Sequence, residues 1–384
     1  MINVRFPSKT EYDILCFSHL RWDFVYQRPQ HLLSRFARQR RVFFIEEPIF
    51  HEGDPTLEIS QREDNLFVVL PKLAGNTDAN TVNATLRALI DQMNVDREIE
   101  EFIAWYYTPM MTAWTGHLKP RAVVFDCMDE LSAFKNAPAE LRQREADLLR
   151  VADVVFTGGR SLYEAKRTQH PAVHCFPSSI DVQHFARALV SDITPADQLP
   201  IGKPRIGFFG VIDERTDLEM LTKIAELRPN YQFVLIGPVV KIDPEALPKK
   251  KNIHYLGSKD YKELPDYIAG WDVAMMPFAI NESTRFISPT KTPEYLAAGR
   301  PVVSTPITDV VRPYGEEGLV TIAEAPKDFA NAIDAVMNEN ASERRERAEQ
   351  FLAGMSWDIT YEAMSDLIDE AIAKRKPATR AARV

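Results

Sequence analysis

Short apolar runs alternate with segments of helical periodicity along this chain, and this alternation constrains the fold more than any other feature. In the first half these runs and segments lie, in order, at residues 12–18, 30–38, 42–45, 79–93, 122–125, 139–151 and 154–156. Such a pattern is typical of parallel strands joined by helices that cover the faces of a sheet. We therefore predict an α/β fold with a parallel sheet for this half.

The second half repeats the alternation after a polar, proline-bearing segment at residues 191–204. Its predicted strands and helices lie at residues 206–209, 217–227, 233–236, 253–256, 261–269, 273–276, 293–298 and 302–304, and helical segments follow at 327–337, 342–353 and 359–372. We expect these last three helices to cover the outside of the second sheet. The predicted organisation is a first domain at 1–190, a linker at 191–204, a second domain at 205–355, a final helix at 356–373 and a basic tail at 374–384.

Composition narrows the classes of function. A chain of 384 residues with a net charge of −9 lacks the positive field that would hold a nucleic acid, so we expect no nucleic-acid partner. Its three cysteines are widely spaced and form no Cys-x-x-Cys pair, which predicts free thiols in a reducing compartment. The first eleven residues are polar, and no run of about 18 apolar residues occurs, so we expect a cytoplasmic protein.

The most informative motif is the segment at residues 288–304, in which a polar loop leads into a short helix, a glycine and a buried strand. Ser288, Thr290 and Lys291 precede a proline that suits the first helical turn, so they lie beside free N–H groups that favour a phosphate. Glu294, inside that turn, is suited to accept hydrogen bonds from a ribose diol. The alternative is that Glu294 only complements the helix dipole and that Lys291 is solvated.

This segment resembles the donor-binding signature of GT-B glycosyltransferases, especially those of glycosyltransferase family 4. The stretch FFGVIDERTDLEML at residues 208–221 is similar to the glycine loop of that family, with Arg215 where a lysine is usual. Further similar motifs lie at residues 176–185, 235–238, 255–257 and 356–357. The resemblance is nearly continuous over residues 176–372 and patchy over the first domain.

The resemblance implies a GT-B architecture of two Rossmann-like parallel-sheet domains facing a cleft, with a C-terminal helix that crosses back to the first domain. It also implies that a nucleotide diphosphate sugar binds as substrate, with Arg215 and Lys291 on the diphosphate and Glu294 on the ribose. The remaining donor-binding residues would be Gly210, Ser288 and Thr290.

We expect neither a metal nor a cofactor. Two cations at loop–helix junctions would themselves stabilise a diphosphate leaving group. No Asp-x-Asp pair is placed to hold a divalent metal, since Asp126 and Asp129 are too far apart in the sequence for adjacent alternation.

The sequence departs from the family at Phe286, which stands where the first of two glutamates eight positions apart is expected. The departure leaves open whether the reaction retains or inverts the anomeric configuration. Ser288 and Glu282 are the nearby candidates for the missing sugar contacts. An ordinary exposed loop acid is the alternative interpretation of Glu282.

The first domain is expected to supply the acceptor site. The loop at residues 19–30 is rich in His, Arg, Trp and Tyr, side chains that stack on sugar rings and bind hydroxyls or phosphate. The candidate acceptor-binding residues are Trp22, Asp23, Arg28 and Tyr107. The alternative is that this loop is held by its own packing.

Three residues at the predicted strand ends are candidates for catalysis. Asp126 and Asp129 follow a buried strand, and a carboxylate there could take the proton of an acceptor hydroxyl if the configuration is inverted. His19 is the third candidate, and Asp23 is a further carboxylate. Each aspartate has a structural alternative as a cap or turn residue.

We therefore predict a glycosyltransferase that acts on a glycan or lipid-linked acceptor in cell-envelope polysaccharide synthesis. Peripheral attachment to the inner face of a membrane is a further hypothesis. It rests on four arginines that could bind anionic lipid: Arg35, Arg38, Arg40 and Arg41. The alternative is that these arginines lie on a solvated helix face.

Three other functions compete with this prediction: a GT-B nucleotide-sugar epimerase, a non-catalytic GT-B partner protein and, less well supported, a nicotinamide dehydrogenase. The dehydrogenase is disfavoured because Gly158 and Gly159 lack the rest of a dinucleotide fingerprint, so packing glycines in a turn are the simpler interpretation. The motifs indicate no particular nucleotide, sugar or acceptor.

Overall fold

Two predominantly parallel sheets form the scaffold of the protein, whose computed structural model describes residues 12–75 and 78–375. Within those residues the first sheet has the order β3-β5-β2-β1-β6-β7-β8-β9. Its strands are β1 Asp13–Ser18, β2 Val42–Glu46, β3 Ile49–His51, β4 Thr56–Glu63, β5 Leu66–Ala74, β6 Phe102–Tyr106, β7 Ala122–Cys127, β8 Val154–Thr157 and β9 Val173–Cys175. All pairs are parallel except β4, which pairs antiparallel with β5 outside that path.

Helices cover both faces of this sheet, as the apolar runs predict. The helices of this half are α1 Arg28–Ala37, α2 Ala79–Asp96, α3 Thr112–Thr115, α4 Leu141–Val151, α5 Arg160–Lys166 and α6 Val182–Ala186. Along β1, Ile14 and Cys16 belong to one buried apolar cluster and Leu15 and Phe17 to the other. Because successive strand residues point to opposite faces, a strand buried on both sides must be apolar throughout.

The second sheet is parallel throughout and has the order β12-β11-β10-β13-β14-β15. Its strands are β10 Arg205–Phe209, β11 Gln232–Ile236, β12 Ile253–Tyr255, β13 Val273–Met276, β14 Val302–Ser304 and β15 Thr321–Ile322. The helices of this half are α7 Leu218–Leu227, α8 Leu264–Ala269, α9 Lys291–Ala297, α10 Thr308–Val310, α11 Pro326–Met337, α12 Ala341–Leu352 and α13 Trp357–Lys374. Two parallel-sheet α/β domains are thus confirmed.

The final helix α13 packs on the first domain rather than on the second sheet. It contacts α1, β7 and β8, and Trp357, Met364 and Ile368 are buried in the same cluster as Ile14. The crossing implied by the family resemblance is confirmed, and the expectation that α13 covers the second sheet is wrong. Most of the predicted basic tail, from residue 376 onward, lies outside the described residues, as do the first eleven residues.

Direct contacts join the two domains. Asp309 of α10 accepts a hydrogen bond of 2.9 Å from the Ser161 N–H in the first turn of α5 and is 5% exposed. A Cβ atom on Gly159 would lie 2.1 Å from Asp309 Oδ2, and one on Gly158 would lie 2.3 Å from the Met128 carbonyl oxygen. The paired glycines therefore permit close packing, one within the first domain and one between the domains.

Candidate active site

A cavity of about 400 Å³ lies between the domains, at the carboxyl ends of the second-domain strands. The first-domain loop at residues 22–27 forms one wall. The other walls come from the loops after β10, β11 and β12 and from the start of α9. Ligands of open parallel sheets bind at this edge, because the connecting loops diverge there and leave a crevice.

Lys291, the first residue of α9, places its ammonium group in this cavity without a carboxylate partner. Its Nζ atom lies 5.6 Å from the centre of the Phe208 ring and 5.8 Å from that of Phe278. Among the described residues, none forms an ion pair with it. Burial and the neighbouring Arg215 guanidinium hold the pKa of Lys291 below its usual value. The site therefore contains a half-buried cation that a bound anion would stabilise.

Glu294 lies one turn further along α9 and borders the same cavity. It is 6% exposed, and its Oε2 atom is buried with no hydrogen-bond partner among the described residues. Burial raises the pKa of this carboxyl group, and the Lys291 charge offsets the rise only in part. The unpaired oxygen can accept a hydrogen bond from a ligand hydroxyl, as the ribose assignment requires.

Arg215 is fixed by an aspartate of its own loop. Its Nε atom lies 3.0 Å and 3.1 Å from the two carboxylate oxygens of Asp213, and its Nη2 atom lies 2.7 Å from Oδ2. Asp213 is 2% exposed, so it holds the guanidinium from the protein side. Arg215 borders both the large cavity and a smaller one of about 100 Å³. Such a paired guanidinium is oriented before an anion arrives.

Gly210 makes room for the lysine. Its φ angle is +135°, a conformation that side chains rarely adopt. A Cβ atom there would lie 2.1 Å from Cε and 2.6 Å from Nζ of Lys291. The glycine therefore leaves space for the Lys291 ammonium group, which is a more specific role than the family resemblance implies.

Replacing Gly210 with alanine should lower the free energy of unfolding by about 1–3 kcal/mol, because the backbone becomes strained and the lysine must move. The displaced ammonium should also weaken the binding of nucleoside diphosphates. Urea denaturation and calorimetry measure the two effects. Gly354→Ala is the control, since a Cβ atom there would have no neighbour within 4 Å. Equal stability of the two variants would contradict the argument.

The structure brings the six predicted donor residues together. Gly210 and Glu294 line the large cavity, Ser288 lines the small one, and Arg215, Thr290 and Lys291 line both. Their common origin in the two loops before α7 and α9 explains why a local motif locates them.

Asp129 faces these cations from the first domain. It lines the small cavity together with Arg215, Ser288 and Lys291. Burial raises the pKa of its carboxyl group, while Arg215 and Lys241 oppose that rise. Among the described residues that line the small cavity, Asp129 is the one carboxylate. It is therefore placed to act on a substrate held by the second domain.

Asp126 does not face the cavity, and its assignment to catalysis is corrected. Strand β7 continues to Cys127, so alternation directs Asp126 into the interior. Asp126 is 0% and Arg28 1% exposed, and their closest charged atoms are 2.9 Å apart. Arg28 also donates a bond of 2.7 Å to the Phe176 carbonyl oxygen. Its guanidinium is thus committed to a buried ion pair, although its side chain borders the small cavity.

Two more first-domain candidates, Tyr107 and His19, lie outside the linings of the two cavities. Tyr107 is 1% exposed and its hydroxyl faces the Asp126 carboxylate, so its assignment to acceptor binding is corrected as well. His19 lies outside the linings of both cavities. Burial and the nearby Lys241 charge lower the pKa of His19 to about 4, so its ring is neutral near pH 7.

Trp22 and Asp23 border the large cavity rather than a separate acceptor site. Trp22 is 8% exposed and packs edge-on against Phe44, with 5.1 Å between ring centres. Asp23 is exposed and pairs with Arg62 at 2.6 Å. Both stand on the wall opposite the donor residues.

Sequence reasoning missed Tyr26 and Tyr261, which close one side of the large cavity. Their rings stack across the domain boundary with 4.6 Å between centres. An aromatic residue in a polar loop is the sequence signal that could have identified each of them. The sequence does not indicate, however, that these two loops from different domains contact each other.

Phe286 and Glu282 point away from the donor residues. Both line another interdomain cavity, and Phe286 packs against the first-domain apolar cluster that contains Phe125 and Leu162. The expected position of the first family glutamate is therefore used for a contact between domains. Among the described residues, no group of three or more His, Cys, Asp or Glu side chains is arranged to hold a metal ion.

The arginines proposed for membrane attachment are engaged within the protein. Arg35 and Arg38 pair with Asp358 at 3.0 Å and 2.8 Å, which ties α1 to α13. Arg41 pairs with Asp13, and the guanidinium of Arg40 lies 4.3 Å from the centre of the Tyr12 ring. Peripheral attachment to a membrane stays a hypothesis. Within the described residues, no helix combines the length and apolarity needed to cross a membrane.

Comparison with known proteins agrees with the fold. Residues 203–339 match the family model Glycosyl transferases group 1. A sucrose-phosphate synthase structure from Thermosynechococcus elongatus superposes with a TM-score of 0.66 over 95% of this chain and 100% of that one, at 14% identity. An Escherichia coli structure of trehalose-6-phosphate bound with UDP-2-fluoro glucose gives a TM-score of 0.67 over 92% and 98%, at 13% identity.

Two curated proteins are also similar. The putative teichuronic acid biosynthesis glycosyltransferase TuaH of Bacillus subtilis is 24% identical over 299 residues, which cover 72% of this chain and 74% of that protein. A GDP-mannose-dependent alpha-mannosyltransferase of Mycobacterium tuberculosis is 25% identical over 226 residues, 56% of each chain. Fold, site and relatives define a class: the chain is a glycosyltransferase with the GT-B fold. Within that class, residues 203–339 form a Glycosyl transferases group 1 domain.

Proposed function

We propose that the protein transfers a sugar from a nucleotide diphosphate sugar to a hydroxyl group of a glycan or lipid-linked acceptor. The observation that carries this proposal is the half-buried Lys291 ammonium, which has no ion-pair partner among the described residues, beside Arg215 in an interdomain cavity of about 400 Å³. Two cations at one end of such a cavity suit a diphosphate, and the free Glu294 oxygen suits a ribose hydroxyl.

In this reaction the bond between the sugar C1 atom and the diphosphate oxygen breaks, and its electron pair stays on the diphosphate. Arg215 and Lys291 stabilise the charge that develops there. The acceptor oxygen forms the new bond to C1, and the Asp129 carboxylate takes its proton. Because burial raises the pKa of Asp129, it is a stronger base than an exposed aspartate.

The comparisons support a role in polysaccharide synthesis. One relative is named for teichuronic acid biosynthesis, another for dependence on GDP-mannose, and one structural neighbour binds UDP-2-fluoro glucose. We infer a nucleotide sugar donor and a cell-envelope glycan as the product.

A thermal-shift screen of nucleoside diphosphates and their sugars tests the proposal. A ligand at 100 times its dissociation constant should stabilise the folded state by about 2.7 kcal/mol. The matching nucleosides, which lack the diphosphate, serve as the control. If no nucleoside diphosphate raises the melting temperature above its nucleoside, the proposal is wrong.

Affinity for a nucleoside diphosphate should fall as the pH rises through the lowered pKa of Lys291. The bound anion favours the protonated ammonium, so affinity is fully present below that pKa and is lost above it. Calorimetry from about pH 7 to about pH 9.5 covers the range below the ordinary lysine pKa. Lys291→Arg, which stays charged, should show a flat profile. A matching decline in both proteins would show that another group titrates.

A further inference from the structure

We propose that a second interdomain cavity, of about 360 Å³, binds the acceptor and that the bound unit is an uncharged saccharide. This inference rests on the proposed function, because it assigns a binding site and a chemical class to the acceptor of that reaction. The cavity is lined from the first domain by Glu130, Glu145 and Lys166 and from the second domain by Arg285 and Phe286.

Three charged side chains in the lining of this cavity are largely buried and form ion pairs with one another. The side chains of Lys166, Glu145 and Glu130 are 7%, 8% and 14% exposed. Lys166 Nζ lies 2.6 Å from Glu130 Oε2 and also pairs with Glu145. Two carboxylates that share one ammonium retain unused lone pairs, and a carboxylate can only accept hydrogen bonds. Ligand hydroxyl groups are the donors that would complete this arrangement.

Phe286 gives the cavity an aromatic wall. Its ring packs on the first-domain core, and the Arg285 guanidinium lies 5.1 Å from the ring centre. An aromatic face offers flat apolar area to the C–H side of a sugar ring, while the carboxylates bind its hydroxyls. Phe286, which stands where the family has a glutamate, thus provides an apolar contact for a sugar ring in the second cavity.

The charges of the lining indicate which sugar fits. Its carboxylates are Glu130, Glu145 and Glu282, and its cations are Arg142, Lys166 and Arg285. The formal charges cancel, so the lining has no net positive charge to attract a phosphate or a carboxylate group. A hydroxyl-rich, uncharged ring matches it better than a sugar phosphate.

The position of the cavity relates it to the donor site. Asp129 lines the small donor cavity, and the next residue, Glu130, lines the second cavity. The two cavities therefore have one loop in common in their linings. A saccharide on the Phe286 wall could therefore direct one hydroxyl past this loop toward Asp129.

Saturation-transfer NMR with neutral disaccharides, cellobiose, maltose and lactose, tests the inference in the presence of a nucleoside diphosphate. At least one should bind, and Phe286→Ala should weaken its binding about tenfold without changing nucleotide affinity. Arg142→Ala is the second variant, because its exposed position leaves folding intact if Phe286→Ala loosens the domains. Arg150→Ala, also exposed on α4 but outside the cavity, is the matched control.

The outcomes separate the two proposals. Tighter binding of glucose 6-phosphate than of every disaccharide would overturn the uncharged class. Failure of all the disaccharides to bind, or unchanged binding in both variants, would overturn the site. Either result with intact nucleotide binding leaves the proposed function standing. Loss of nucleotide binding by the unmodified protein would instead contradict the proposed function.

Discussion

Replacing Lys291 with alanine should reduce the rate of sugar transfer by about 10²–10³-fold, the usual effect of removing one group that stabilises developing charge. The variant leaves Arg215 as the remaining cation identified at the diphosphate. Single-turnover measurements with saturating donor isolate the chemical step from binding. Because Lys291 forms no ion pair among the described residues, its removal breaks no salt bridge in the described site.

Lys223→Ala is the matched control for this experiment. Lys223 lies on α7, is about half exposed and pairs with Glu219 one turn away. Its loss should leave transfer unchanged, since exposed helix pairs contribute little. Full activity of the Lys291→Ala protein would contradict this role of the lysine. Arg215 would then be the cation that stabilises the charge on the departing diphosphate.

Replacing Asp126 with alanine should lower the free energy of unfolding by about 3–5 kcal/mol, because the Arg28 guanidinium is left buried without its partner. Urea denaturation gives this value directly. Asp23→Ala is the contrast, since its exposed pair with Arg62 should contribute less than about 1 kcal/mol. A stable Asp126→Ala protein that has lost only its transfer activity would restore Asp126 as a catalytic base.

Sequence patterns locate many of the strands that are buried on both faces, although β6, all five residues of which are buried, was missed. Strands such as β8 and β13 read as short apolar runs, because helices cover both sides of the sheet. Strand β4 was missed since its exposed antiparallel position allows the polar sequence TLEISQRE. Its pairing is set by the neighbouring β5 rather than by its own apolar pattern.

The clustering of the six candidate donor residues could be predicted, whereas the burial of Asp126, Arg28 and Tyr107 in the first domain could not. Lys291 and Glu294 belong to one local motif, so their proximity follows from a single helix turn. Asp126 and Asp129 differ in whether they lie within or after β7, and the sequence analysis ended that strand two residues early. A shift of this size decides whether a carboxylate enters the core or the cleft.

Helix α5 has consequences for how domain movement can be observed. Its first turn is capped by Asp309 from the opposite domain, so any separation of the domains exchanges this acceptor for water. The Ser161 amide would then be protected from deuterium only while the cleft is shut. The hydrogen-exchange rate of this one amide, which is remote from Lys291 in the sequence, can thus report how often the domains separate during turnover.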